Sequence, residues 1–157
     1  MKRRDKSGQT CDDCPIRHRA ICARCDEAEL QILEGIKSYR TFAAGEIIQR
    51  RDEPLEFFSS LVSGSAHLSK ALEDGRTQMV GLLLPSDFIG RPGRTTASFD
   101  VSALTQVTLC QFERRRFEAL LETTPHIASR QMEMALDELD AAREWMVLLG
   151  RKTAREK

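Results

Sequence analysis

The 157-residue chain is long enough for one domain with a real core, 41% of it hydrophobic, which excludes a mini-protein and a disordered tail. Its 24 Lys and Arg balance 24 Asp and Glu, so the overall charge gives no reason to expect nucleic-acid or membrane binding through bulk electrostatics. No apolar run approaches the roughly 18 residues needed to span a bilayer, and the basic N-terminus is followed by cysteines and charges rather than a signal-peptide core, which points to a cytoplasmic protein.

Four of the five cysteines, Cys11, Cys14, Cys22 and Cys25, fall within fifteen residues, and the fifth, Cys110, stands alone much later in a β-like segment. In a reducing compartment clustered thiols in an odd count read as metal or redox ligands rather than a disulfide framework. Thiolates spaced Cys-x2-Cys-x7-Cys-x2-Cys are soft ligands that select zinc, copper(I) or iron-sulfur clusters over calcium or magnesium.

Residues 26–38 place Leu30, Leu33 and Ile36 at spacings of three, which predicts a short amphipathic helix after the cysteines. From Arg40 to Phe112 the pattern changes to short runs rich in β-branched and aromatic residues, divided by Gly45, Pro54, Gly64, Pro85 and Pro92-Gly93. These predict strands, and Asp74-Gly75 between residues 65–72 and 78–84 predicts a hairpin. The expected architecture is an antiparallel β-roll or small barrel within an α+β fold.

Residues 114–122 read as a short helix, after which Thr123-Thr124-Pro125 offers an N-cap and a proline suited to a first helical position. A long helix is expected to about Gly150. Within it Met132, Ala135, Leu139, Ala142, Met146 and Leu149 step by three and four, an a/d seam whose small d residues let two helices approach closely. Glu138 at g and Arg143 at the following e would meet across a parallel pair, so the seam predicts a parallel homodimer. Leu136, Trp145 and Leu148 form a second apolar set, expected to dock on the chain's own roll. Thr153 and Glu156 then have the form of a capping box, which normally opens a new helix.

The run from Cys11 to Cys22 (CDDCPIRHRAIC), the punctuation at Gly45-Glu46, Gly64 and Asp74-Gly75, the isolated Cys110 and the seamed helix through Trp145 together resemble the FNR branch of the CRP/FNR transcription regulators, of the FnrL type. The resemblance covers essentially the whole chain. It implies a cupin-like jelly roll of the cyclic-nucleotide-binding type, an O2-labile [4Fe-4S] cluster that favours dimerisation, and DNA binding through a C-terminal helix-turn-helix domain absent from this chain. Carried over residue by residue, Cys11, Cys14 and Cys110 are ligands, with Cys22 the better candidate for the fourth and Cys25 the reserve. The division that follows is a cluster-binding segment at 1–29, the roll at 30–123, the dimerisation helix at 124–150 and the start of a DNA-binding domain at 151–157.

Cyclic-nucleotide binding is not expected. Arg91 follows Ile89-Gly90 where receptors of that kind carry a ribose-binding glutamate, and Thr96-Ala97-Ser98 lacks their phosphate-binding arginine. Arg17, Arg19 and Arg24 are placed to offset the negative charge of a thiolate-held cluster, or else form a solvated basic face. The rival reading is a structural zinc site of Cys11, Cys14, Cys22 and Cys25 that staples a dimerisation domain, with Cys110 a core thiol. His18, His67 and His126 lie in unrelated segments without a nucleophile constellation, so an enzyme is not expected.

Overall fold

The computed structural model describes residues 10–151. Residues 10–26 are wound into successive turns closed by backbone bonds such as Arg17 N to Cys14 O (3.0 Å) and Ala20 N to Ile16 O (2.9 Å). Ile16, Ala20 and Ile21 are pressed into the core. Helix α1 (Glu27–Ile36) opens on a capping box: the Asp26 carboxylate accepts from Glu29 N, and the Glu29 carboxylate accepts from Asp26 N, each at 2.9 Å. Leu30 and Leu33 are its buried face.

Eight strands follow: β1 (Lys37–Phe42), β2 (Ile47–Gln49), β3 (Phe57–Ser63), β4 (Ala66–Ala71), β5 (Thr77–Leu83), β6 (Phe88–Ile89), β7 (Asp100–Ala103) and β8 (Val107–Glu113). They pair antiparallel in two four-stranded sheets, ordered β1-β8-β3-β6 and β2-β7-β4-β5. The expected roll is therefore present, and the β4–β5 hairpin turns at Asp74-Gly75, where Gly75 takes φ 83°. Helices α2 (Arg114–Thr123) and α3 (Pro125–Arg151) complete the chain. Thr124 serves as the C-cap of α2 immediately before Pro125.

The sheet carrying β8 is buried on both faces. Phe42, Leu61, Val107 and Leu109 point between the sheets and meet Val101 and Ala103. The alternate residues Tyr39, Phe58, Cys110 and Phe112 point the other way, into a second core roofed by Ile21, Leu33, Phe117 and Ile127. Period-two alternation thus places Leu109 and Cys110 in different cores. Phe58, Phe88, Phe112 and Phe117 stack in this second core with ring centroids 5.3–5.9 Å apart. At Gly90, φ is 120° and a Cβ would stand 2.3 Å from Phe58 Cδ1, so only glycine lets the chain pass this ring.

Helix α3 packs through its first turns, at Ile127 and Met134, and beyond them leaves most of its apolar residues exposed. The expectation that Leu136, Trp145 and Leu148 dock on the roll is corrected for the first two, which are 54% and 53% exposed, while Leu148 is half-buried. Seam residues Met132, Leu139, Met146 and Leu149 are likewise exposed. Arg143 pairs with Asp140 on its own helix (3.5 Å), and Glu138 is pushed above the usual carboxylate range by desolvation and by the nearby Asp87 carboxylate. The Thr153–Glu156 capping box and the segment expected to begin a DNA-binding domain lie outside the described residues, apart from Arg151. Among the described residues no helix is long and apolar enough to cross a membrane.

Candidate metal centre

Cys110 projects from β8 into the second core, held in register between Tyr39 of β1 and Ser60 of β3. Above it the turns of the cysteine segment bring Cys11, Cys14 and Cys22 to one cavity, which all four thiols line together with apolar groups from Ile16, Leu33 and Phe112. The space free of protein atoms is about 370 Å³, counting a mouth that opens to solvent. Cys110 is 8% exposed and the other three thiols are half-buried. Cys25 is buried in the same core but does not line the cavity.

Burial favours the protonated form of Cys11, Cys22 and Cys110 when no cation is present. Desolvation pushes Cys11 up to about 11, with help from a hydrogen bond to the Glu34 carboxylate and against the opposing Lys37 ammonium. Cys22 is raised by desolvation despite the Arg17 guanidinium, and Cys110, the most deeply buried, is raised furthest by the same cause. Cys25 is pushed up to about 12. A bound cation reverses this preference, because thiolate, not thiol, ligates metal.

Two neighbours escaped the sequence reading. Lys37 Nζ sits 3.5 Å from Cys11 Sγ and 2.9 Å from a Glu34 carboxylate oxygen, with its side chain nearly buried. The other Glu34 oxygen accepts from Cys11 N at 2.8 Å. A Glu-x2-Lys pair at the end of a helix looks like an ordinary surface ion pair, and only the return of the cysteine segment over it gives it another task. Of the three arginines considered as charge-balancing groups, Arg17 does adjoin the site, donating to Cys22 O (2.8 Å) and Cys25 O (3.2 Å). Arg24 instead pairs with Glu133 of α3 (2.8 Å), and Arg19 is exposed.

A set of four thiols suits soft metal chemistry, zinc or an iron-sulfur cluster. Tetrahedral zinc with Zn–S of about 2.3 Å brings its sulfurs to about 3.8 Å of one another. Among the described residues no three of the thiols have Sγ atoms mutually within 4.8 Å. A four-iron cube bonds each thiolate to a different iron and so spreads the sulfurs around itself. The donor atoms that do group that closely belong to Asp26, Glu29 and His126, an exposed set already explained by the α1 capping box and by His126 Nδ1 against Glu29 at 2.9 Å.

Residues 39–124 match the cyclic nucleotide-binding domain. The chain belongs to that family. It is 59% identical over 94% of its length to the transcriptional activator protein FnrL of Cereibacter sphaeroides, covering 59% of that protein. It is 38% identical over 98% of its length to the nitrogen fixation regulation protein FixK of Bradyrhizobium diazoefficiens, covering 65% of it. These relatives place it in the CRP/FNR group. The chain thus spans about three fifths of the length of the curated relatives it matches. Among solved structures, FixK2 from Bradyrhizobium japonicum superposes with a TM-score of 0.69 at 28% identity, covering 76% of this chain and 60% of that one. The catabolite activator protein of Thermus thermophilus shares the fold, with a TM-score of 0.68 at 18% identity over 82% of this chain and 62% of that one.

Proposed function

We propose that this chain is the sensory and dimerisation part of an oxygen-responsive FNR-type transcription regulator of the cytoplasm, not an enzyme. Cys11, Cys14, Cys22 and Cys110 hold a [4Fe-4S] cluster, α3 pairs in parallel with that of a second copy, and DNA is engaged through a helix-turn-helix domain of the parent regulator. One observation carries the reading: Cys110, from the sheet, lines the same cavity as the three thiols of the N-terminal turns, while Cys25 does not. That arrangement, with the spread of the sulfurs, argues against the local zinc knuckle, which needs Cys25 and leaves Cys110 idle.

When bound, the cluster supplies an inorganic core that O2 degrades, so ligation of the four thiols becomes conditional on oxygen. The chain does the rest. Cys110 is fixed by its neighbours in the sheet, whereas Cys11, Cys14 and Cys22 ride on turns; joint ligation ties the turns to the sheet. Those turns also grip α3. Arg130 donates to Arg19 O (2.6 Å) and Ala20 O (3.3 Å), Glu133 pairs with both Arg130 and Arg24, and His126 meets Glu29 of α1. The placement of the first turns of α3, and hence of its seam, follows the cysteine segment.

Beyond those turns the seam is uncovered, and pairing with a second copy would bury Met132, Leu139, Met146 and Leu149 around the small Ala135 and Ala142. A shift of a few kcal/mol in seam geometry suffices to move such an equilibrium between monomer and dimer. The reading involves no cyclic nucleotide, because Arg91 stands where receptors of that kind carry a ribose-binding glutamate and Thr96-Ala97-Ser98 lacks their phosphate-binding arginine.

The test is iron and acid-labile sulfide per chain after anaerobic purification, with molar mass by light scattering before and after air. About four of each, and a dimer that dissociates in air, is the expected result. Zinc without sulfide, and a mass indifferent to oxygen, would refute it.

A further inference from the structure

We propose that Ser60 donates a hydrogen bond to a sulfur atom of the cluster, and that this bond sets the cluster's reduction potential and its lifetime in air. The inference rests on the reading of Cys11, Cys14, Cys22 and Cys110 as cluster ligands.

Ser60 lies on β3 between Phe58 and Val62, all three facing the second core. An apolar side chain would be the ordinary choice there. The residue is 2% exposed, it lines the thiol cavity, and its backbone is the register partner of Cys110. Among the described residues its hydroxyl oxygen has no hydrogen-bond partner. Its neighbour Ser59, on the opposite face of the strand, is met by the Gln111 amide at 3.5 Å. Tyr39, which flanks Cys110 on the other side, has a hydrogen bond with Lys37. Ser60 is therefore the polar group of the cavity wall whose partner must come from the cavity itself.

Buried hydroxyls are almost always partnered, and this one can satisfy itself only with what fills the space in front of it. Thiolate and sulfide sulfurs carry no proton and can only accept, so the hydroxyl must donate. A hydrogen bond to sulfur withdraws electron density from the cluster and favours its more reduced state, one of the recognised determinants of cluster potential. Loss of the donor should make the cluster easier to oxidise.

The experiment compares wild type, Ser60→Ala, and the isosteric pair Ser60→Thr and Ser60→Val, all purified anaerobically. Three quantities are read: iron and sulfide per chain, midpoint potential by mediated titration, and the half-time of absorbance loss in air. S60A should load fully, show a lower potential and decay about threefold to tenfold faster, the factor an ordinary net hydrogen bond is worth. S60T should behave as wild type and S60V as S60A. If S60A fails to load, the isosteric pair decides: loading by S60T alone supports the donor, and equal behaviour of the two overturns it. Wild-type potential and half-time in S60A also overturn it, while leaving the cluster assignment intact. A wild type without iron and sulfide would bring down the cluster assignment itself, and the role of Ser60 with it.

Discussion

Arg130 joins the cysteine segment to the first turns of α3, and replacing it with methionine separates that connection from cluster binding. The side chain is 17% exposed and its guanidinium reaches Arg19 O, Ala20 O and Glu133. Methionine keeps most of the apolar stem in place and removes the donors. Hydrogen bonds to a charged group contribute about 1.5–3 kcal/mol each when well buried. With allowance for solvent screening and for Glu133, which keeps its contact with Arg24, the latch is worth about 2 kcal/mol. That corresponds to about a 30-fold change in an equilibrium constant. Because the guanidinium touches backbone carbonyls of the segment and none of the thiols, Arg130→Met should keep full iron and sulfide. Sedimentation of anaerobic and air-exposed protein then measures two dimer dissociation constants, and their ratio should shrink by about 30-fold in the variant. A variant that loads its cluster and still dissociates in air with the wild-type ratio would refute the coupling route.

Three further outcomes follow from the same geometry. Cys110→Ala should abolish iron retention while Cys25→Ala largely spares it, measured by iron and sulfide after anaerobic purification, because Cys110 lines the cavity and Cys25 does not. Gly90→Ala should lower stability by about 2–4 kcal/mol in denaturant titration, since a Cβ there meets the Phe58 ring at 2.3 Å on a backbone of φ 120°. Leu139→Glu with Met146→Glu should leave iron content unchanged but yield a monomer by light scattering under anaerobic conditions, because both side chains are already solvent-exposed in the single chain and their burial is needed only for pairing.

Much of this protein was legible in its residue pattern because the signals are local. The spacing of Leu30, Leu33 and Ile36 announces α1, Asp74-Gly75 the hairpin, and Pro125 the start of α3, each through a local pattern that a few neighbouring residues satisfy. The cysteine spacing and the a/d seam likewise state a chemistry and a period without reference to the rest of the fold. What local pattern could not supply was where α3 parts from the body. Leu136 and Trp145 have the helical spacing of a docked face, yet the fold leaves both more than half exposed.

The sequence by itself determined the types of element, their order and the set of thiols available to a soft metal centre. Only the tertiary structure decided which four thiols share a cavity. That choice follows from strand parity, which turns Cys110 away from Leu109 and toward the cysteine segment, and from the winding of residues 10–26, which admits Cys22 and leaves Cys25 aside. The partners Lys37, Glu34 and Ser60 were invisible for the same reason. Ordinary in their own segments, they become part of the site because contacts between distant parts of the chain bring them to one cavity, and burial there raises the cost of leaving any polar group unmatched.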